Sequence, residues 1–141
     1  MSPEITPPPL QITPPPFMPP PTIQTERVMT IVEKVSQKTG VFSKQTYRML
    51  VTNARLIFVL QVKNNIDYAQ QDPNTSLAEN PANFAIPLDQ VQAIEVYRGD
   101  FEGGSPDSMT IRTTSDKMTF LVNDAYRVSQ NLKKVLGNLV K

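Results

Sequence analysis

Between Tyr47 and Gln61 the chain reads YRMLVTNARLIFVLQ, and this stretch restricts the fold more than any other. Two runs rich in apolar and β-branched residues meet at Thr52-Asn53-Ala54, a polar break of the kind that turns a strand back on itself. After the break, Leu56, Phe58, Leu60 and Val62 sit two apart and share one strand face. Ile57 and Val59 make the opposite face apolar too, so this strand is expected to be covered on both sides over part of its length. The hairpin sets a fold and carries no chemistry of its own.

Composition narrows the functional classes. A chain of 141 residues is expected to form one domain with a sizeable core. Its formal net charge is +1 with the charges interspersed, which leaves no electrostatic footprint for nucleic acid. Cysteine and histidine are both absent, so thiolate chemistry and the commonest general base and metal ligand are missing. No apolar run reaches the ~18 residues of a membrane span. Nor does a basic segment precede an apolar one at the N-terminus, so no signal peptide is read and a cytoplasmic protein is expected.

Residues 1–23 differ from everything after them. Ile5-Thr6-Pro7-Pro8-Pro9 recurs as Ile12-Thr13-Pro14-Pro15-Pro16, and Met18-Pro19-Pro20-Pro21 is a looser third copy. Proline lacks an amide proton and biases its predecessor toward extended geometry, so a polyproline II or disordered arm is expected. The arm reads as a spacer or a cover for its own domain. A partner-docking stretch of Pro14, Pro15, Pro16, Phe17 and Pro19 is the alternative, with Pro16 and Pro19 at PxxP spacing.

The globular part, residues 24–141, is expected to hold seven strands and a helix. Glu26 to Gln37 reads as the first strand and Lys38-Thr39-Gly40 as the turn after it. Val41 to Val51 reads as the second, with Val41, Tyr47, Met49 and Val51 on one face and Lys44, Thr46 and Arg48 on the other. Arg55 to Val62 is the third. Lys63 to Asn83 is a long polar insertion, read as a tolerated surface loop with a functional loop as the alternative. Within it Ser76-Leu77-Ala78-Glu79 matches a capping box and predicts a single helical turn stopped by Asn80-Pro81. Phe84 to Leu88, broken by Pro87, suits an edge strand. Val91 to Tyr97 is the fifth strand, and Ser108 to Thr113 with Lys117 to Val122 is a closing hairpin. Asn123 or Asp124 caps a final helix reaching Lys141, with Ala125, Val128, Leu132, Val135, Leu136 and Leu139 on one face.

Catalytic signals are missing. The glycine-rich turn at Gly99, Gly103 and Gly104 joins two strands and matches no phosphate-loop spacing. Asp100, Glu102 and Asp107 crowd one loop, but their spacing is not that of a calcium loop. No nucleophile elbow, zinc motif or paired-carboxylate pattern occurs. The reading is therefore a non-enzyme, with no catalytic, metal or cofactor-binding residue assigned and no cofactor expected.

The run Val51-Thr52-Asn53-Ala54-Arg55-Leu56-Ile57-Phe58 resembles the "L-T-N-x-R-L-I-F" hairpin of bacterial pleckstrin-homology-like (PH-like) and GRAM-type domains. Phe84-Ala85-Ile86-Pro87-Leu88-Asp89-Gln90-Val91 is similar to their "I-P-L-x-x-I" strand. The resemblance covers residues 24–141. It implies a mainly β fold: a bent seven-stranded sheet wrapped into a partly open barrel, capped by the helix from Asn123 to Lys141. This superfold hosts lipid, peptide and protein binders. Lipid-binding members carry basic residues around the first hairpin, where this chain has Lys34, Lys38, Lys44 and Arg48. The last pair is one residue further apart than their pattern, so a tight headgroup site is not expected. The leading expectation is a non-enzymatic module for a protein or peptide partner, or for a second copy of itself. A peripheral membrane module reading anionic headgroups is the alternative.

Overall fold

One hydroxyl holds the break at Thr52-Asn53-Ala54. Thr52 Oγ1 accepts the amides of Ala54 at 3.0 Å and Arg55 at 2.9 Å, and donates to Glu26 at 2.7 Å. A threonine is favoured here because its side chain replaces backbone acceptors that a tight turn lacks. Asn53 takes the amide of Arg27 at 2.9 Å, so the turn also fixes where the chain enters the domain. Arg55 then closes a two-pronged ion pair on Glu26, at 2.8 and 3.0 Å.

The computed structural model describes residues 25–100 and 102–141. The proline-rich stretch with Pro14, Pro15, Pro16, Phe17 and Pro19 lies outside them. The strands are β1 (Val28–Lys38), β2 (Lys44–Thr52), β3 (Arg55–Leu60), β4 (Phe84–Pro87), β5 (Val91–Tyr97), β6 (Ser108–Thr113) and β7 (Lys117–Leu121). Helix α1 (Pro73–Ala78) falls between β3 and β4, and α2 (Ala125–Leu136) follows β7. All pairings are antiparallel, in one seven-stranded sheet ordered β4-β3-β2-β1-β7-β6-β5. The sheet is open, with β4 and β5 as its edges. Pro87 ends β4 as an edge position allows.

The sheet bends around its core. β3 and β7 are three strand spacings apart, roughly 14 Å in a flat sheet. Yet Phe58 of β3 stacks on Phe120 of β7 with ring centroids 4.9 Å apart. Phe84 stacks on the other face of Phe58 at 4.6 Å, and Tyr47 meets Phe58 and Phe84 edge-on. Such contacts contribute about 0.5–1.5 kcal/mol each beyond area burial. Met49, Val51, Leu56, Ile94, Met109 and Ile111 complete this core, and Val128 and Leu132 of α2 pack into it.

The other face of β2 and β3 is also covered, as the doubly apolar third strand predicts. Leu50, Ile57 and Val59 are buried against Tyr68, with Leu77 beside them. The polar insertion is therefore a cover. Its Tyr68 hydroxyl donates to Glu79 at 2.8 Å and accepts from Asn64 at 3.0 Å.

Three local expectations are corrected. Ser76 does not start a helix: it is buried inside α1, whose N-cap is Asp72, accepting the Thr75 amide, with Pro73 next. Aspartate followed by proline preorganises a helix start better than the later serine. The last helix does not reach Lys141. It ends at Leu136 because Gly137 takes a φ of 58°, which a side chain would disfavour. After a short turn, Val140 bridges Ile94 in parallel and the Lys141 amide donates to its carbonyl at 2.9 Å. Third, β2 begins at Lys44, so Val41 and Phe42 lie outside it.

Candidate interaction surface

The turn after β1 is longer than its Lys38-Thr39-Gly40 signal suggests. Thr39 donates its amide to the Ser43 carbonyl at 3.1 Å, and their hydroxyls meet at 3.0 Å. That closure leaves Gly40, Val41 and Phe42 as a projecting tip. Phe42 is 100% exposed and Val41 89%, so the tip presents the two most exposed large apolar residues described. The sequence reading put Val41 on the core face with Tyr47. Tyr47, Met49 and Val51 do reach the core, but the Thr39–Ser43 clamp ends the ladder before Val41. The available signal was the glycine and serine bracketing an apolar pair.

Below the tip, Lys38 and Lys44 are direct cross-strand partners, and both are exposed. Like charges facing each other across a ladder are locally unfavourable. Lys34 sits further down β1, where the register against β2 shifts between Val32 and Val35. At this bulge Lys34 adopts a φ of 57°, unusual for a residue with a side chain, and its amide donates to Gln61 Oε1 at 3.0 Å.

Arg48 departs from the expected patch. Its Nε lies 2.7 Å from Glu33, and its guanidinium sits 4.5 Å from the centroid of the Tyr68 ring. With the side chain only 15% exposed, this cation is neutralised and stacked inside the outer cover. The structure thus brings together Lys34, Lys38 and Lys44 and assigns Arg48 to packing. Among the described residues, none of the three lysines has a carboxylate within ion-pair distance.

Two further features border this end of the sheet. A cavity of about 430 Å³ opens on the outer face of β1, β2 and β7, beside Lys34 and Lys44. The β5–β6 loop contributes Pro106 to its wall. In that loop Asp107 accepts the amides of Ala125 and Gly99, both at 2.7 Å. The Ala125 amide, then the Gly99 amide, holds its carboxyl below the ordinary value. Asp107 therefore tethers the loop to the start of α2, and Asp100 and Glu102 stay exposed. Among the described residues no three acidic side chains gather as metal ligands would, and no helix is long and apolar enough to cross a membrane.

Comparison with protein-family models and with curated proteins finds no match for this chain.

Proposed function

We propose that the chain is a PH-like, non-enzymatic module that docks the end of its β1–β2 hairpin onto an anionic membrane surface. The observation that supports this reading is the fully exposed Phe42, with Val41, above the opposed pair Lys38 and Lys44. A convex apolar tip ringed by lysines suits a bilayer interface, where the tip enters the acyl boundary and the ammoniums reach headgroups. Anionic lipid would also relieve the repulsion between Lys38 and Lys44.

The protein-partner reading has less to rest on. A specific protein interface covers roughly 800 Å² on each side. Among the described residues, the other exposed large apolar side chains, Val62, Ile66, Tyr97 and Tyr126, are dispersed along the chain.

Magnitudes place the docking in the weak, reversible range. Three lysines near an anionic surface contribute about 1 kcal/mol each, and burying a phenylalanine about 1.5–3 kcal/mol. The exposed acids Asp100 and Glu102 at the same end oppose part of this. Sedimentation with phosphatidylserine-containing vesicles is expected to show binding that falls with salt. Phe42→Asp should reduce it more than tenfold, and Lys38→Glu with Lys44→Glu should abolish it. Each variant should fold normally, since these side chains are exposed. Wild-type protein that ignores anionic vesicles, or a Phe42→Asp variant that binds as well, would reject the reading.

A further inference from the structure

β1 has a strand beside it along its whole length on one side, and at one position on the other. β2 follows it from Val28 to Lys38, whereas β7 meets it only where Ser36 faces Leu121. Alternate residues of an antiparallel strand turn their amide and carbonyl away from the partner. Between Val28 and Val35 those groups face no strand among the described residues. The middle of this margin, Ile31 to Lys34, forms one wall of a groove of about 410 Å³, and the start of α2 forms the other. We infer that this groove takes up a short strand from the same chain, Leu10-Gln11-Ile12-Thr13, laid along the first half of β1.

The fold already uses this device once. Val140 bridges Ile94 of β5 and Lys141 donates to its carbonyl, so a later segment of the chain covers that margin. The outer margin of β4 is short and ends in Pro87, which blunts it. Among the described residues the first half of β1 is therefore the longer uncovered ladder, and proteins cover such margins. Backbone strain marks both ends of the opening. Lys34 and Asp124 both line the groove, and each has a φ of 57°. Lys34 forms the bulge just before β1 meets β7, and Asp124 the turn that diverts the chain from β7 into α2. Strain of this kind is kept where the surrounding structure requires it. Here it holds β7 and α2 off the first half of β1.

The occupant follows from the rest of the chain. Residues 1–24 precede the described part. A ladder needs amides, which proline lacks. Leu10-Gln11-Ile12-Thr13, between Pro9 and Pro14, is the longest proline-free run ahead of Thr22. Leu10 and Ile12 sit two apart and share one strand face, with Gln11 and Thr13 on the other. The groove offers both kinds of contact: Ile31, Val32 and Val128 are apolar, and Asn123, Arg127 and Asn131 are polar. Reach favours the same chain over another copy. From Thr13 to Thr25 the chain spans up to roughly 37 Å at the polyproline rise. The free half of β1 is about 23 Å long. The tether also raises the effective concentration of the strand at the groove. This inference stands apart from membrane docking, which uses the tip beyond Lys38.

One added strand of four residues contributes little to global stability, so the test reads position. The chain has no cysteine, and Thr13→Cys therefore gives a single site for a nitroxide label on the full-length protein. In the ¹⁵N-labelled chain, paramagnetic broadening should be strongest at Ile31, Val32 and Asn131. Adding Leu10→Asp and Ile12→Asp should remove it and leave the β6 and β7 resonances in place. The same two substitutions, without the label, should speed deuterium exchange several-fold at alternate amides between Val28 and Glu33. Broadening that is strongest at β4 or at the β1–β2 tip, or that persists in the double variant, would overturn the inference. A mixture of ¹⁵N chains without the label and labelled chains without ¹⁵N should show no broadening at the groove. Broadening there as strong as in the single-chain sample would reject the intramolecular strand in favour of one exchanged between copies.

Discussion

Glu26 joins stretches that the sequence keeps far apart. It accepts from Thr52 and from Nε and Nη2 of Arg55, and that same Nη2 also donates to Asn74 at the start of α1. Burial alone would raise its carboxyl, but hydrogen bonds from Arg55 and Thr52 outweigh this and hold it below its ordinary value of 4.5. A carboxyl that ionises more readily when folded stabilises the fold in its ionised form. That contribution is complete above the unfolded value and is lost as pH falls through the lower folded one. Glu26→Gln should lower stability near neutral pH by about 1–2 kcal/mol, between an exposed pair and a buried one. Urea titrations should show the gap between wild type and variant narrowing as pH drops below 4.5. A gap of constant size down to about pH 3 would show that ionisation of Glu26 is not what stabilises this corner. The turn itself was legible, because Thr52, Asn53 and Arg55 are local signals. The pairing with Glu26 was not, since Thr52 and Glu26 stand 26 residues apart and no local rule connects them.

At the scale of elements, helical spacing identified α2 and its buried side but overran its end. Leu132 and Leu136 look equivalent in the sequence, yet Leu132 is fully buried and Leu136 only partly. Leu132→Ala should cost roughly 2–5 kcal/mol, and Leu136→Ala clearly less. Urea midpoints for the two variants check this, and equal losses would mean that the helix seats on Leu136 as firmly as on Leu132. Leu139 continued the apolar spacing and masked the stop signal at Gly137. A similar competition operates at α1, where Ser76 and Glu79 have capping-box spacing but Asp72-Pro73 starts the helix. The insertion was the least legible element. Its cover depends on Tyr68 reaching Arg48 and the back of β2 and β3, contacts that exist only once the sheet has formed. The candidate site was half legible: its lysines stood out as charges, while the tip residues were absorbed into the regular alternation of the next strand.

For the whole molecule, the register puts the Thr52–Ala54 turn and the chain entry at Thr25–Arg27 at one end of the sheet, and the β1–β2 tip at the other. The domain's described contacts begin at Thr25, which accepts from Asn53. A chain starting at Gln24 should therefore keep a nearly unchanged urea midpoint. Collapse of folding on that truncation would make the proline-rich stretch part of the domain. The bridge from Val140 to Ile94 has a different consequence, in the order of synthesis. β5 is completed well before Val140 leaves the ribosome, and β6, β7 and α2 all emerge in between. During that interval nothing in the described fold lies over the Ile94 carbonyl, and this margin of the sheet is open to any other strand that meets it. The residues that close it, Val140 and Lys141, are made only after α2.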